Sequence, residues 1–215
     1  MNNDYNNRIR IKSIGVLFVG SVACGKSCLI QNYFGQQLTD DYYLSSIYSD
    51  YYRKKIQFED LDYNIKIFDY PGTERYKSII YSNLRFSKII VLVFDMTKKD
   101  SFLYLDRLLE SFSEEVDINK YMFILIGNKA DLRDKWEIKE KDAKEFANII
   151  HAKFILTSAK NEPKILQEFL DNAFCDYIKI SNQRLDEQPN QGRQRNILLN
   201  RANRRRHRGL CGWKI

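Results

Sequence analysis

The sequence lacks the features of membrane-spanning, disulfide-linked and cysteine-ligated metal proteins. It has no apolar run of about eighteen residues, the length that a transmembrane helix needs, and no signal-peptide pattern at its start. Residue 2 is Asn, not the Gly that N-myristoylation requires. The two histidines suggest no catalytic role, and the four cysteines have neither metal-ligand spacing nor a disulfide framework. We therefore expect a protein of the reducing cytosol.

Positive charge is concentrated near the C-terminus. Residues 182–215 contain nine Lys and Arg against two acidic residues, which equals the +7 net charge of the whole chain, so residues 1–181 are neutral. This segment is also rich in Asn and Gln and poor in core-forming residues, which predicts disorder. We predict three regions: an N-terminal extension over 1–12, a folded domain over 13–181 and a disordered basic tail over 182–215.

The folded region alternates strand-like and helix-like segments, which predicts an α/β fold with a six-stranded, mostly parallel sheet and about five helices. The predicted strands are 13–20, 51–59, 63–69, 89–95, 121–127 and 153–157. The predicted helices are 26–35, 76–86, 100–114, 139–151 and 164–180. Too few residues separate the second and third strands for a crossover helix, so these strands should form an antiparallel hairpin.

Residues 20–27, GSVACGKS, fit the phosphate-binding pattern G-x-x-x-x-G-K-[ST] at every fixed position. They lie between a predicted buried strand and a predicted helix, where glycines let main-chain N–H groups approach a phosphate closely. Lys26 would add a positive charge at the β and γ phosphates, and the Ser27 hydroxyl would bind Mg²⁺. The predicted nucleotide contacts of this segment are Ser21, Val22, Ala23, Cys24, Gly25, Lys26, Ser27 and Cys28.

Two later segments indicate a guanine base. Asn128, Lys129 and Asp131 belong to an NKAD sequence that follows an apolar strand, at the strand end where α/β sheets bind ligands. The Asp131 carboxylate could accept hydrogen bonds from the N1–H and amino group of guanine, a pattern that adenine cannot offer. The second segment follows the predicted strand 153–157 and could bring a backbone N–H to the guanine O6. It consists of Ser158, Ala159 and Lys160.

A D-x-x-G sequence lies between these motifs. Asp69 and Gly72 come at the end of the apolar strand 64–68. Asp69 would supply a carboxylate to the Mg²⁺ shell, and Gly72 would supply an N–H to a γ-phosphate oxygen. The pair is therefore predicted to sense whether the γ-phosphate is present.

With these motifs in this order, the chain resembles a small GTPase of the Ras superfamily and is most similar to the Rab family, over about residues 13 to 180. The Rab resemblance depends on GKSCLI at 25–30, SSIYSDYY at 45–52, FDYPGTERYKSI at 68–79 and LVFDMTKKDSF at 92–102. It implies a P-loop GTPase fold and a monomeric regulator of membrane traffic that binds GTP or GDP with Mg²⁺ and hydrolyses GTP to GDP and phosphate. Exchange factors and effectors are the implied partners, and the cytoplasmic side of an intracellular membrane is the implied location.

The chain departs from this family at its switch and catalytic positions. Ser46 stands where Rab proteins have a threonine that binds Mg²⁺ and the γ-phosphate, although a one-residue insertion leaves Ser45 as an alternative. Thr73 replaces the glutamine that orients the attacking water, and Val22 lies where the family has a small residue beside the γ-phosphate. We therefore expect slow hydrolysis and weak stimulation by activating partners.

The same resemblance implies effector contacts at Ile47, Tyr51 and Phe68, although aromatic residues at strand spacing are also typical of a core. The tail is expected to attract anionic membranes rather than nucleic acid. Cys211 is the candidate for lipidation, but it is fifth from the end and misses the C-a-a-X position by one. A nuclear-localisation or nucleic-acid-binding run at 204–208 and a merely solvated tail are the alternatives.

Two other functions are compatible with the motifs. A GTP-bound effector-binding module with negligible catalysis would use the same nucleotide contacts, and a single-turnover hydrolysis assay separates it from a cycling switch. A P-loop ATPase or kinase would have no use for NKAD, and tight ATP binding would support that function.

Overall fold

The computed structural model describes residues 12–36, 50–70, 72, 77–161 and 163–186. Its six strands are β1 (Lys12–Val19), β2 (Asp50–Phe58), β3 (Leu61–Asp69), β4 (Ser87–Asp95), β5 (Met122–Asn128) and β6 (Lys153–Leu156). Its five α-helices are α1 (Lys26–Tyr33), α2 (Lys77–Leu84), α3 (Lys99–Glu115), α4 (Glu140–Ile149) and α5 (Pro163–Asp186). Two short 3₁₀ turns, Ile118–Lys120 and Arg133–Lys135, are additions to the prediction.

The strands form one sheet in the order β2-β3-β1-β4-β5-β6. β2 and β3 are antiparallel, and every other neighbouring pair is parallel, so the predicted hairpin in a mostly parallel sheet is confirmed. Because five strands share one direction, their carboxyl ends meet at a single edge of the sheet. Residues 20–27, Asp69, Asp95 and Asn128 all lie at that edge.

The central strands are apolar along their length because helices cover both faces of the sheet. Along β1, Val16 and Phe18 face the layer that contains α1 and α5, whereas Leu17 and Val19 face the layer that contains α2, α3 and α4. All four side chains are at most 1% exposed. The continuous apolar run that predicted a buried strand therefore reflects two cores, one on each face.

The last helix is longer than predicted. α5 continues to Asp186, so residues 182–186 are helical and the prediction that disorder starts at residue 182 was wrong for this segment. Asn182 anchors this end of the helix on the sheet: its Nδ2 donates to Tyr63 Oη at 3.0 Å, and its Oδ1 accepts from Lys12 Nζ at 3.2 Å. The rest of the predicted tail lies outside the described residues.

Candidate nucleotide-binding site

Residues 20–27, the phosphate loop, connect the end of β1 to the start of α1. The Lys26 side chain is only 6% exposed, and its Nζ donates to Gly20 O at 3.1 Å and to Ser21 O at 2.8 Å. Carbonyl groups of the loop therefore hold the positive charge of Lys26 in place, within the turn that an anion would approach.

Two glycines allow neighbouring parts of the chain to pack closely at the phosphate loop. Gly25 has a left-handed φ of 96°, and a Cβ on it would lie 2.1 Å from Asn128 Nδ2. A Cβ on Gly72 would lie 2.3 Å from Gly20 O and 2.6 Å from Val22 N. Gly72 of the D-x-x-G sequence thus packs directly against the phosphate loop, a position compatible with its predicted role at a γ-phosphate.

Ser27 and Asp69 meet behind the loop, where Ser27 Oγ donates to Asp69 Oδ2. Asp69 is fully buried at the end of β3. A hydroxyl and a carboxylate are oxygen ligands of the kind that Mg²⁺ prefers, so the two residues fit the ion. No group of three or more His, Cys, Asp or Glu that could hold a metal occurs in the part of the chain that the structure describes.

Asn128 joins three loops. Its side chain is 2% exposed, its Nδ2 donates to Cys24 O at 2.9 Å, and its Oδ1 accepts from the Ala159 N–H at 3.1 Å. The phosphate loop, the NKAD loop (residues 128–131) and the SAK loop (residues 158–160) are therefore fastened together by one amide.

Lys129 makes a second connection between loops. Its backbone has a left-handed φ of 61°, and its Nζ donates to Ala23 O at 3.1 Å. The same Nζ lies 2.6 Å from Oδ2 of Asp95, which is 1% exposed. Sequence reasoning missed Asp95, although it is a polar residue at the end of a buried strand, the same signal that identified Asn128.

The predicted base contacts lie on the NKAD loop and the SAK loop. Ser158 Oγ accepts from the Lys160 N–H at 3.2 Å, and Asp131 is exposed on the NKAD loop. Asn32 of α1, another missed residue, is 6% exposed and supports the SAK loop by donating to Ala159 O at 2.5 Å. Since the Ala159 and Lys160 N–H groups already have acceptors within the protein, a guanine O6 would share one of these donors.

The two cysteines beside Lys26 are structural thiols. Burial raises the pKa of Cys24, and the nearby Lys26 charge opposes this only in part. Burial, reinforced by the Asp69 carboxylate, raises the pKa of Cys28. Both thiols are therefore protonated at neutral pH, which disfavours reaction as nucleophiles.

Two of the predicted effector residues lie side by side on the β2–β3 hairpin. Tyr51 is paired with Phe68 across the strands, their ring centroids are 5.5 Å apart, and Tyr51 is 48% exposed. Phe68 is half-buried against the core, and Arg53 lies over the Tyr51 ring at 5.8 Å. Tyr51 is thus available on the surface, whereas Phe68 is partly a core residue.

Several predicted site residues lie outside the described residues. They are Ser45, Ser46, Ile47, Thr73 and Cys211. In the described part of the chain, no helix is long and apolar enough to cross a bilayer.

A phosphate loop between a buried strand and a helix, with Asp69 and Gly72 packed against it, defines a P-loop nucleotide-binding protein. The model of the Ras family matches residues 15–175. The GTP-binding protein YPT1 of Saccharomyces cerevisiae is 30% identical over 190 residues, which cover 87% of each chain. The GTP-binding protein ypt1 of Schizosaccharomyces pombe is 31% identical over 170 residues, 79% of this chain and 80% of the relative. The chain therefore belongs to the Ras family and is a Rab-like small GTPase.

Proposed function

We propose that the protein is a GTP- and GDP-binding switch of the Rab type that acts in vesicle and membrane traffic. The observation that carries this proposal is the direct bonding of the NKAD loop to the phosphate loop, through Asn128 Nδ2 to Cys24 O at 2.9 Å and Lys129 Nζ to Ala23 O at 3.1 Å. In this proposal the NKAD loop would contact the base and the phosphate loop would contact the phosphates, and these bonds would hold the two contacts at the fixed separation that one nucleotide requires. The two relatives are both named GTP-binding proteins, which supports the same function.

Each group has a defined role in this proposal. Phosphate-loop N–H groups and Lys26 bind the β and γ phosphates, and Asp131 and the SAK loop recognise the guanine. Ser27, Asp69 and Ser46 would hold Mg²⁺, which offsets phosphate charge when bound. Gly72 would contact the γ-phosphate.

Hydrolysis transfers the γ-phosphoryl group of GTP to water and leaves GDP and phosphate, and we propose that this step is slow. Thr73 has no carboxamide with which to orient the attacking water. Val22 is 45% exposed on the phosphate loop, and there its branched side chain would occupy space that an activating residue has to enter. An arginine supplied by a partner protein is associated with rate factors of about 10³ to 10⁵. Exclusion of that arginine would therefore cause a large loss of stimulated hydrolysis rate.

Single-turnover hydrolysis of bound GTP tests this function. Thr73→Gln should raise the intrinsic rate by at least about tenfold because it restores the water-orienting amide. Thr73→Ser, which changes the side chain without adding an amide, is the control and should stay at the wild-type rate. A wild-type rate equal to that of Thr73→Gln would show that hydrolysis is not limited by this position.

The alternative function is a GTP-bound effector-binding module with negligible catalysis, which the exposed Val22 side chain favours. The nucleotide that copurifies with the protein separates the two: GDP supports a cycling switch, and GTP supports the module. Copurified ATP, or none of these nucleotides at all, would contradict both.

We further propose that the protein acts as a monomer at the cytoplasmic side of an intracellular membrane, with an exchange factor and effectors as partners. Tyr51 and Phe68, with Ile47, would form part of the effector surface. The basic tail would provide the membrane contact, because it carries the whole net charge of the chain. Lipidation of Cys211 remains a prediction.

A further inference from the structure

A buried ion pair lies beside the proposed nucleotide site. Asp95, at the end of β4, is 1% exposed, and its Oδ2 lies 2.6 Å from Lys129 Nζ. The same ammonium donates to Ala23 O at 3.1 Å. One lysine therefore links a buried carboxylate, the NKAD loop and the phosphate loop.

The Asp95 carboxylate has a fixed orientation. Its Oδ1 accepts from the Thr97 N–H at 2.9 Å and from Thr97 Oγ1 at 2.7 Å, which leaves Oδ2 directed at Lys129. The backbone is also held, since the Asp95 N–H donates to Ser101 Oγ at 2.9 Å. Rotation of the carboxylate away from Lys129 would break the bonds to Thr97, so Asp95 is a rigid anchor.

Lys129 needs such an anchor because its backbone is in an unfavourable region. A left-handed conformation, here a φ of 61°, is unfavourable for a residue with a Cβ and persists only where the surroundings hold it. One restraint is the backbone bond from Ala130 N–H to Thr157 O at 3.1 Å. The ion pair with Asp95 and the bond from Lys129 Nζ to Ala23 O are the restraints that act on the Lys129 side chain.

We propose that Asp95 is a positioning residue for nucleotide retention: by holding Lys129, it keeps the NKAD loop closed against the phosphate loop. Asp95 is buried and has no surface from which to contact a ligand, so it acts through Lys129. This inference depends on the guanine-nucleotide site proposed above.

The test is the release rate of a fluorescent GDP from the full chain in Mg²⁺. Asp95→Asn keeps the side-chain shape but removes the charge that holds Lys129, so release should be at least about tenfold faster than in the wild type. Lys129→Met, which keeps most of the stem without the ammonium, should have a similar effect. The double variant should release GDP no faster than Lys129→Met alone, because each change breaks the same connection.

A matched control breaks an ion pair away from the site. Lys153 Nζ of β6 lies 2.5 Å from Asp176 Oδ2 of α5, and Asp176→Asn should leave GDP release unchanged. Thr97→Val, which removes only the hydroxyl bond to Asp95 Oδ1, provides a second measure if Asp95→Asn does not fold. It should accelerate release a few-fold, and Thr97→Ser should not.

Wild-type GDP release rates in both Asp95→Asn and Thr97→Val would overturn the inference. It would also be overturned if the double variant released GDP faster than Lys129→Met by the same factor that Asp95→Asn produces alone. If Asp95 had only a structural role, Asp95→Asn would lower the stability of the fold by the same amount whether or not the Lys129 ammonium was present. If the wild type itself retained no guanine nucleotide, the proposed function would fail first and the inference with it.

Discussion

Gly25 is the single residue on which the geometry of the site depends most directly. Its φ of 96° turns the phosphate loop so that the Asn128 side chain can lie against it, with no room for a Cβ between them. Asn128 in turn bonds to Cys24 O and to the Ala159 N–H. The absence of one side chain thus permits the contact that joins three loops.

Gly25→Ala should therefore lower the free energy of unfolding by more than backbone strain alone explains. The left-handed conformation costs Ala about 1 to 2 kcal/mol, and displacement of Asn128 adds the loss of buried hydrogen bonds, so the free energy of unfolding should fall by about 3 kcal/mol in total. Gly35→Ala is the control, since Gly35 has a φ of 70° but nothing within 4 Å of a Cβ. Urea unfolding of both variants measures the difference, and equal losses would show that Asn128 can move without cost.

Residue types at strand ends could be predicted from the sequence, but their partners could not. Asn128 and Lys129 were identified by a short motif after an apolar run. Nothing in the sequence indicated that Lys129 would meet Asp95, 34 positions away, because that pairing follows from the parallel register that aligns Asp95 with Asn128. Long-range side-chain geometry is set by the assembled sheet.

At the scale of secondary-structure elements, α5 holds α1 and β2 together through Asp171. The Asp171 carboxylate accepts from Tyr33 Oη of α1 and from Lys54 Nζ of β2, the latter at 3.0 and 3.1 Å. Lys54 Nζ also lies 4.0 Å from the centroid of the Tyr33 ring. Burial and the bond to Asp171 raise the pKa of Tyr33 far above its ordinary value, so its hydroxyl stays a donor. The cluster fixes the elements on both sides of residues 37–49.

Asp171→Asn should lower the free energy of unfolding by about 1 to 2 kcal/mol, because it weakens one hydrogen bond and removes one partly exposed ion pair. Asp176→Asn on the same helix loses only its more exposed pair with Lys153 and should cost at most about 0.5 kcal/mol. Chemical denaturation compares the two variants. Equal losses would mean that the Tyr33 contact contributes nothing.

Most element boundaries could be predicted from apolar periodicity. Apart from the end of α5, every predicted strand and helix ends within two residues of its observed position. The end of α5 was missed because its last turns are polar in sequence and are held by Asn182, whose partners Tyr63 and Lys12 are distant along the chain. At this end of α5, tertiary contacts rather than local composition determine where the helix ends.

At the scale of the whole molecule, the net charge lies at the C-terminal end of the chain. Residues 1–181 are neutral, whereas residues 182–215 carry the net charge of +7. The helix that leads into this segment ends at Asp186. Any attraction to an anionic surface therefore concerns the C-terminal segment and leaves the nucleotide domain electrically neutral.

Removal of tail charge should weaken membrane binding of the full chain. Each basic residue contributes roughly 1 kcal/mol near an anionic surface. Replacing Arg204, Arg205, Arg206 and Arg208 by Gln should therefore lower the affinity for phosphatidylserine vesicles by at least about a hundredfold, as measured by co-sedimentation. The same four positions changed to Lys keep the charge and should bind as the wild type does. Equal sedimentation of the Gln variant and the wild type would remove the membrane proposal.

The antiparallel direction of β2 has a practical consequence. Since β2 starts beside Asp69 and runs away from the carboxyl ends of the other strands, its turn with β3, at Glu59 and Asp60, lies at the opposite edge of the sheet. Both turn residues are exposed. A fluorophore or surface-immobilisation tag attached at this turn would leave the phosphate, NKAD and SAK loops unobstructed. The turn is therefore a suitable attachment site for measuring nucleotide exchange on single molecules.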